Sequence, residues 1–352
     1  MTRPLLQARL WLSPLFLSLA LGSISHPAMA QANNTDQPVG TITNFGPNLQ
    51  TTAAGVCRQP EGIAIDKDGN FYLSSNSDAV QTVGHVCVLD PKGNLIDIIN
   101  VPEGPGATAI GLIGELWEGD SLYVLDQADN VPPHGRILKI NPKTHAVTTV
   151  ASGITFPNCI VEDRHGNFYV ADSFESRIYK FSADNPNLTV WFESSLFTST
   201  NANQPVGTND LVFDIDQDVL YVSDAGNRQV FKIQLDAHGN PGAMELFADG
   251  ATLDAQYGLP VPTALFFADG MQIDVKGNLY VMSNLTNEVE VFSRDGKLIQ
   301  RYSGTGANAL DFNASPIFKG SQLYMSNMSA TDGGVGSKVS VLQAPYPGIR
   351  LQ

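Results

Sequence analysis

Cysteine is scarce in this 352-residue chain, which has only Cys57, Cys87 and Cys159. Three cysteines cannot build a multi-bridge scaffold, and their spacing matches no zinc motif. One bridge, Cys57 with Cys87, fits an oxidising compartment; three buried thiols are the alternative. Basic residues are also few, with 20 Lys and Arg against 35 Asp and Glu and a formal charge of −15. Such an acidic surface excludes nucleic acid as a partner, because phosphates require a basic face. Beyond Ile24 no apolar run approaches the roughly 20 residues that a membrane helix needs. Helix-type Ala/Glu/Lys periodicity is lacking too, whereas Gly, Asn, Asp and Thr are abundant. That composition favours a single large β domain.

The opening of the chain differs from the rest. Arg3 and Arg9 precede an apolar run from Leu10 to about Ile24, followed by "HPAMA", a small-x-small cleavage signal. Residues 1–30 therefore read as a secretory signal peptide and 31–352 as one domain, secreted or periplasmic, with no membrane span after cleavage. Cleavage removes two arginines and no acids, taking the formal charge from −15 to −17.

One unit then repeats six times. "FYLSS", "LYVLD", "FYVAD", "LYVSD", "LYVMSN" and "LYMSN" carry Tyr72, Tyr123, Tyr169, Tyr221, Tyr280 and Tyr324, separated by 51, 46, 52, 59 and 44 residues. Such periods suit a four-stranded propeller blade with its connections. In the first copy "GIAID", "FYLSS", "HVCVLD" and "LIDIIN" alternate as strands, with "KDGN" and "PKGN" as tight turns between them. A lone blade has two apolar faces, so the units must pack face to face around an axis. The fold expected is an all-β, six-bladed β-propeller with a central channel. "GTITNF", Gly40 to Phe45, has no blade of its own and is expected to complete the last blade as its outer strand.

Counting back from the tyrosines exposes a ring of polar residues. Eleven residues before Tyr72, Tyr169 and Tyr280 stand Glu61, Asn158 and Asp269; Asn209 lies twelve before Tyr221, behind a turn one residue longer. Five residues further on each has an aspartate: Asp66, Asp163, Asp214 and Asp274. The latter read as turn residues on the opposite face. The former start the innermost strands, where side chains from different blades converge. Two carboxylates and two amide oxygens form a hard site suited to Ca²⁺, and less tightly to Mg²⁺ or Mn²⁺. The same count gives Leu112 in the second copy, as an apolar wall, and Asn313 in the sixth. Long connections at Ser194 to Thr208, Asp249 to Ala268 and Asn327 to Ser337 share that face and read as lids, with Phe197, Tyr257 and Phe266 as candidate pocket linings or, equally, local packing. His134, near the end of another long connection, reads as a surface histidine, with a place overhanging the pocket as the alternative.

With "PEGIAID", "FPNCIVED", "GTNDLVFD" and "ADGMQID" in place, the mature chain resembles the senescence marker protein (regucalcin)/gluconolactonase family of six-bladed propellers. Its relatives are the diisopropylfluorophosphatases, paraoxonases and strictosidine synthase-like proteins. The resemblance implies that Glu61, Asn158, Asn209 and Asp269 surround a catalytic divalent cation: Ca²⁺, or another such as Mg²⁺, Mn²⁺ or Zn²⁺. It implies metal-assisted hydrolysis of a small ester, most often a lactone, in which the cation polarises the carbonyl. Asp269 is the candidate general base or nucleophile, and Asn158 a metal or substrate contact. The paraoxonase-type histidine pair is not recognisable. Phosphotriester hydrolysis, a lyase or condensation reaction on the same site, and a non-enzymatic binding propeller are the alternatives. The expected state is a monomer with a small-molecule substrate.

Overall fold

A computed structural model of the chain describes residues 40–76, 82–330 and 334–349. The expected signal peptide lies outside them. Four of the blades share one local device, an aspartate that organises the turn after the innermost strand. Asp66 accepts hydrogen bonds from the backbone N of Asp68 and Asn70, from Asn70 Nδ2 and from the Tyr72 hydroxyl. Asp163 does the same for His165, Asn167 and Tyr169, and Asp274 for Lys276, Asn278 and Tyr280. Gly69, at φ 86°, supplies the left-handed residue that closes the first of these turns. These recurring aspartates are thus structural. Asp66, Asp163 and Asp274 tie the turn to the marker tyrosine of the next strand, while Asp214 accepts from the backbone N of Asp218 and Val219.

The strands form six four-stranded antiparallel sheets. The innermost strands are Pro60–Ile65, Leu112–Glu118, Pro157–Glu162, Thr208–Phe213, Ala268–Ile273 and Asn313–Lys319. Each packs against the innermost strands of both neighbouring blades, which closes the ring. The N-terminal strand Ile42–Phe45 pairs antiparallel with Lys338–Gln343 and completes the sixth blade, as its orphan position in the sequence implied.

Apolar residues collect between blades. Tyr72, Val86, Ile99, Leu122 and Val124 pack between the first and second, and Tyr169, Phe197, Leu211 and Phe231 between the third and fourth. Each such side chain contributes about 1.5–3 kcal/mol on burial, so the blade-to-blade walls carry the fold. Cys57 and Cys87 form a disulfide, fastening the segment before Glu61 to the third strand of its blade; Cys159 is free. The connection after Asp249 folds into the helix Gly250–Tyr257, capped by Asp249, whose side chain accepts from Thr252 N. Asp254 then accepts from Thr263 N, Ala264 N and Arg228 Nη2, pinning this connection to the propeller.

Candidate functional site

Every innermost strand slips register against its partner at the same point: after Pro60, Leu112, Pro157, Thr208, Ala268 and Asn313. Bulges of this kind re-aim side chains and recur beside functional sites. The residue entering each bulge is Glu61, Ile113, Asn158, Asn209, Asp269 and Ala314 in turn. The four polar members are those expected from the sequence. The other two are corrected, from Leu112 to Ile113 and from Asn313 to Ala314. Tyr123 pairs with Leu116 and Tyr324 with Ile317, seven residues back, where Tyr72 pairs with Ala64, eight back. Those two hairpins are one residue shorter. Asn313 instead packs between blades, its Nδ2 donating to Glu288 O at 3.0 Å.

The backbone at the bulges is held tightly. Ser326 Oγ donates to Glu61 O at 2.6 Å, and Gly62 N donates to Ser74 Oγ at 2.8 Å. Residue 62 must be glycine, since a Cβ there would lie 2.3 Å from Ile113 O of the next blade. Glu61, Asn209 and Asp269 are buried. Asp269 and Asn158 line one axial cavity of about 140 Å³.

Asp269 Oδ2 accepts from Asn284 Nδ2 at 2.6 Å, and the Asn209 amide also faces this carboxylate. Burial, partly offset by these amides, pushes the Asp269 carboxyl up to about 7. Glu61 is raised well above the carboxylate range by burial and then by the charges of Asp269, Asp210 and Glu115. Burial likewise raises Glu115 and takes Asp210 up to about 6. Four carboxyl groups thus share the channel, and the described residues lining the cavity include no Lys, Arg or His. Glu61 Oε2, Asn209 Oδ1, Asn284 Oδ1 and both Glu115 carboxyl oxygens are buried without a hydrogen-bond partner among the described residues.

Unpaired buried acceptors and uncompensated carboxylates are costly unless a donor or cation meets them. The donor set is oxygen only, so it fits a hard divalent cation such as Ca²⁺ better than Zn²⁺. Among the described residues no three His, Cys, Asp or Glu side chains are grouped closely enough to hold a metal. A centre here would therefore rest on the Glu61 and Asp269 carboxylates completed by the amide oxygens of Asn209, Asn158 and Asn284.

Asn284, Asp210 and Glu115 were missed by the ring count because they stand at other registers. Asn284 had a signal, being the amide four residues after its marker tyrosine, where the first two blades have Asn76 and Gln127. His134 lies outside the cavity lining, its Nδ1 2.7 Å from Asp129 Oδ1. Nor do the expected pocket aromatics line the cavity. Phe197 is fully buried between blades, the Tyr257 hydroxyl donates to Leu298 O, and Phe266 N donates to Thr263 O.

Residues 197–329 match the family described as the SMP-30/Gluconolactonase/LRE-like region. This segment contains Asn209, Asp269 and Asn284. Three solved structures share the fold. A luciferin-regenerating enzyme is 14% identical, covering 89% of this chain and 100% of its own, with a TM-score of 0.61. A gluconolactonase from Xanthomonas campestris is 15% identical, covering 91% and 99%, with a TM-score of 0.59. The calcium-binding protein regucalcin from Agrobacterium tumefaciens is 15% identical, covering 82% and 92%, with a TM-score of 0.57. Comparison with curated protein sequences gives no match. Residues 197–329 thus belong to the SMP-30/gluconolactonase/LRE-like region, set in a six-bladed propeller with the fold of the gluconolactonase and regucalcin structures.

Proposed function

We propose that this chain is a divalent-cation-dependent hydrolase of a small ester, in the first place a lactone, with Ca²⁺ as the cation. The observation that carries the reading is the set of buried oxygens on Glu61, Asn209 and Asn284 without a partner among the described residues, together with the Asp269 carboxylate, which lines a cavity whose described lining has no cationic side chain. The gluconolactonase and calcium-binding regucalcin among the structural neighbours support it. Glu61, Asn209 and Asp269 would hold the cation, with Asn158 and Asn284 completing the oxygen shell. When bound, the cation supplies charge stabilisation for an ester oxygen as it becomes negative.

The chain's own residues account for the remaining steps. Asn158, which lines the same cavity as Asp269, orients the ester through its amide. As the water oxygen bonds to the acyl carbon and the acyl–oxygen bond breaks, Asp269 takes the water proton and returns it to the leaving alkoxide. Asn284 and Asn209 fix the carboxylate for that transfer. The same reading has the mature chain work as a monomer outside the cytoplasm, in keeping with the Cys57–Cys87 disulfide.

The test is a lactone panel with purified mature protein, in Ca²⁺ and in chelator. Turnover should vanish in chelator and fall about 100-fold or more in Asp269→Asn and Glu61→Gln. Full activity of both variants would sink the mechanism. Bound Ca²⁺ without turnover of any ester would favour a binding protein.

A further inference from the structure

Two residues before each ring position stands a mouth residue. Its carbonyl accepts a hydrogen bond from the residue following the second strand of the same blade, as in Gln127 N to Gly111 O and Asn284 N to Phe267 O. In the second and fourth blades this residue is Gly111 or Gly207. A Cβ at Gly207 would lie 1.9 Å from the backbone Phe197 O, which shuts a side chain out, and one at Gly111 would press on the Gln127 side chain, 2.5 Å from its Nε2. The first, fifth and sixth blades solve the same position differently, Gln59 of the first at φ 51°. Phe267 and Phe312 take φ of 62° and 52°, a left-handed backbone that is a rare outlier for bulky residues.

Such strain persists only where the surroundings enforce it, and it concentrates at ligand-binding sites. Here it is enforced by bonds from Asn284 N to Phe267 O, from Met328 N to Phe312 O and from Phe312 N to Asn287 Oδ1. The flipped backbone gives both benzyl groups room that Gly111 and Gly207 lack. Their rings meet across the two blades at 6.1 Å, both partly exposed and outside the apolar cluster between those blades. Phe267 is two residues from Asp269. In an antiparallel blade, the links from second to third strand and out of the fourth strand share this face. Exposed Val131, Phe174, Leu196 and Val261 all lie in such links. Arg228 and Arg301, which could bind hydroxyls or anions, are committed to Asp254 and Glu288.

We infer that Phe267 and Phe312 form an apolar wall over the Asp269 side of the channel mouth, selecting substrates with an alkyl or aryl group next to the ester over polyhydroxylated sugar lactones. The inference rests on the hydrolase reading for its chemistry, but the wall can be tested without turnover. The experiment uses γ-lactones of increasing alkyl length together with glucono-δ-lactone, and in parallel calorimetric titration with the corresponding non-hydrolysable lactams. In wild type, kcat/KM and lactam affinity should rise about two- to fourfold per added methylene over the first few. Phe267→Gly and Phe312→Gly remove the ring while giving the left-handed position its preferred residue, so they should fold and flatten the rise.

Lactam affinity that climbs with chain length, and flattens in the variants, upholds the wall even if no lactone is hydrolysed; only the hydrolase reading then fails. A flat wild-type series, tighter binding of the sugar lactam, or an unchanged slope in both variants overturns the wall. So does binding to phosphatidylcholine vesicles without any gain along the lactam series, which would assign the apolar face to a lipid surface.

Discussion

Asn284 donates Nδ2 to Asp269 Oδ2, while its own Oδ1 is buried without a partner among the described residues. A flipped amide would set oxygen against carboxylate, so the orientation is fixed by charge. Its oxygen is thus left for a cation held at Asp269 in the proposed shell. Asn284→Ala should lower Ca²⁺ affinity about 10- to 100-fold, as loss of a support to a metal-binding carboxylate does. Calorimetric titration decides it, and affinity equal to wild type would remove Asn284 from the site. Residues such as this one mark the limit of the sequence. Glu61, Asn158, Asn209 and Asp269 were legible because each keeps a nearly constant distance from a tyrosine in its own blade. Asn284 reaches Asp269 from the end of a neighbouring strand, and Glu115 and Asp210 join the channel through bulge geometry. No spacing rule along the chain encodes the approaches of Glu115 and Asp210, and Asn284 had only the recurring amide four residues after a marker tyrosine as its signal.

At the scale of the element, the ring register and the aspartate register five residues on have different tasks. Asp163 organises a turn through His165 N, Asn167 N, Asn167 Nδ2 and the Tyr169 hydroxyl, and these bonds hold its carboxyl below the usual range despite burial. Asp163→Ala should cost about 2–4 kcal/mol in urea unfolding, since several bonds to one charged group are lost together. Ca²⁺ affinity in this variant should equal that of wild type. A cation defect would instead connect the turn face to the site. Turn length also explains the errors at Leu112 and Asn313. The count from tyrosine assumes one hairpin length, and the "EGD" and "KGS" turns are a residue shorter than "KDGN". Pairing, which the sequence does not state, restores Ile113 and Ala314 to the ring. The lid aromatics failed differently: Phe197 reads as a loop residue by position, yet it fills the seam between two blades.

At the scale of the whole molecule, ring closure was readable because a repeat that cannot bury both faces alone leaves few other solutions, and the orphan strand Ile42–Phe45 had one vacant edge to join. The closed ring brings the Glu61, Asp210 and Asp269 carboxyls into one channel, and stability must then depend on pH. Asp269, near 7, and Asp210, near 6, are raised above unfolded carboxylates by burial, as is Glu61. A raised acid is fully stabilising below its unfolded value, and that contribution is lost as pH climbs through the folded value. In chelator the melting temperature should therefore fall between about pH 5 and pH 8. Part of this fall belongs to Asp224, near 7, and Glu290, near 8, which are raised by burial and have no place in the proposed oxygen shell. The part that belongs to the channel should be reversed by Ca²⁺, whose binding displaces protons, so its affinity must rise over the same interval. Asp269→Asn isolates that share, because it removes a buried charge: at about pH 8 the metal-free variant should melt above wild type, with a weakened response to Ca²⁺. If the metal-free wild type melts no lower at the alkaline end, and Ca²⁺ affinity stays constant with pH, the channel carboxyls do not form a charge-deficient site.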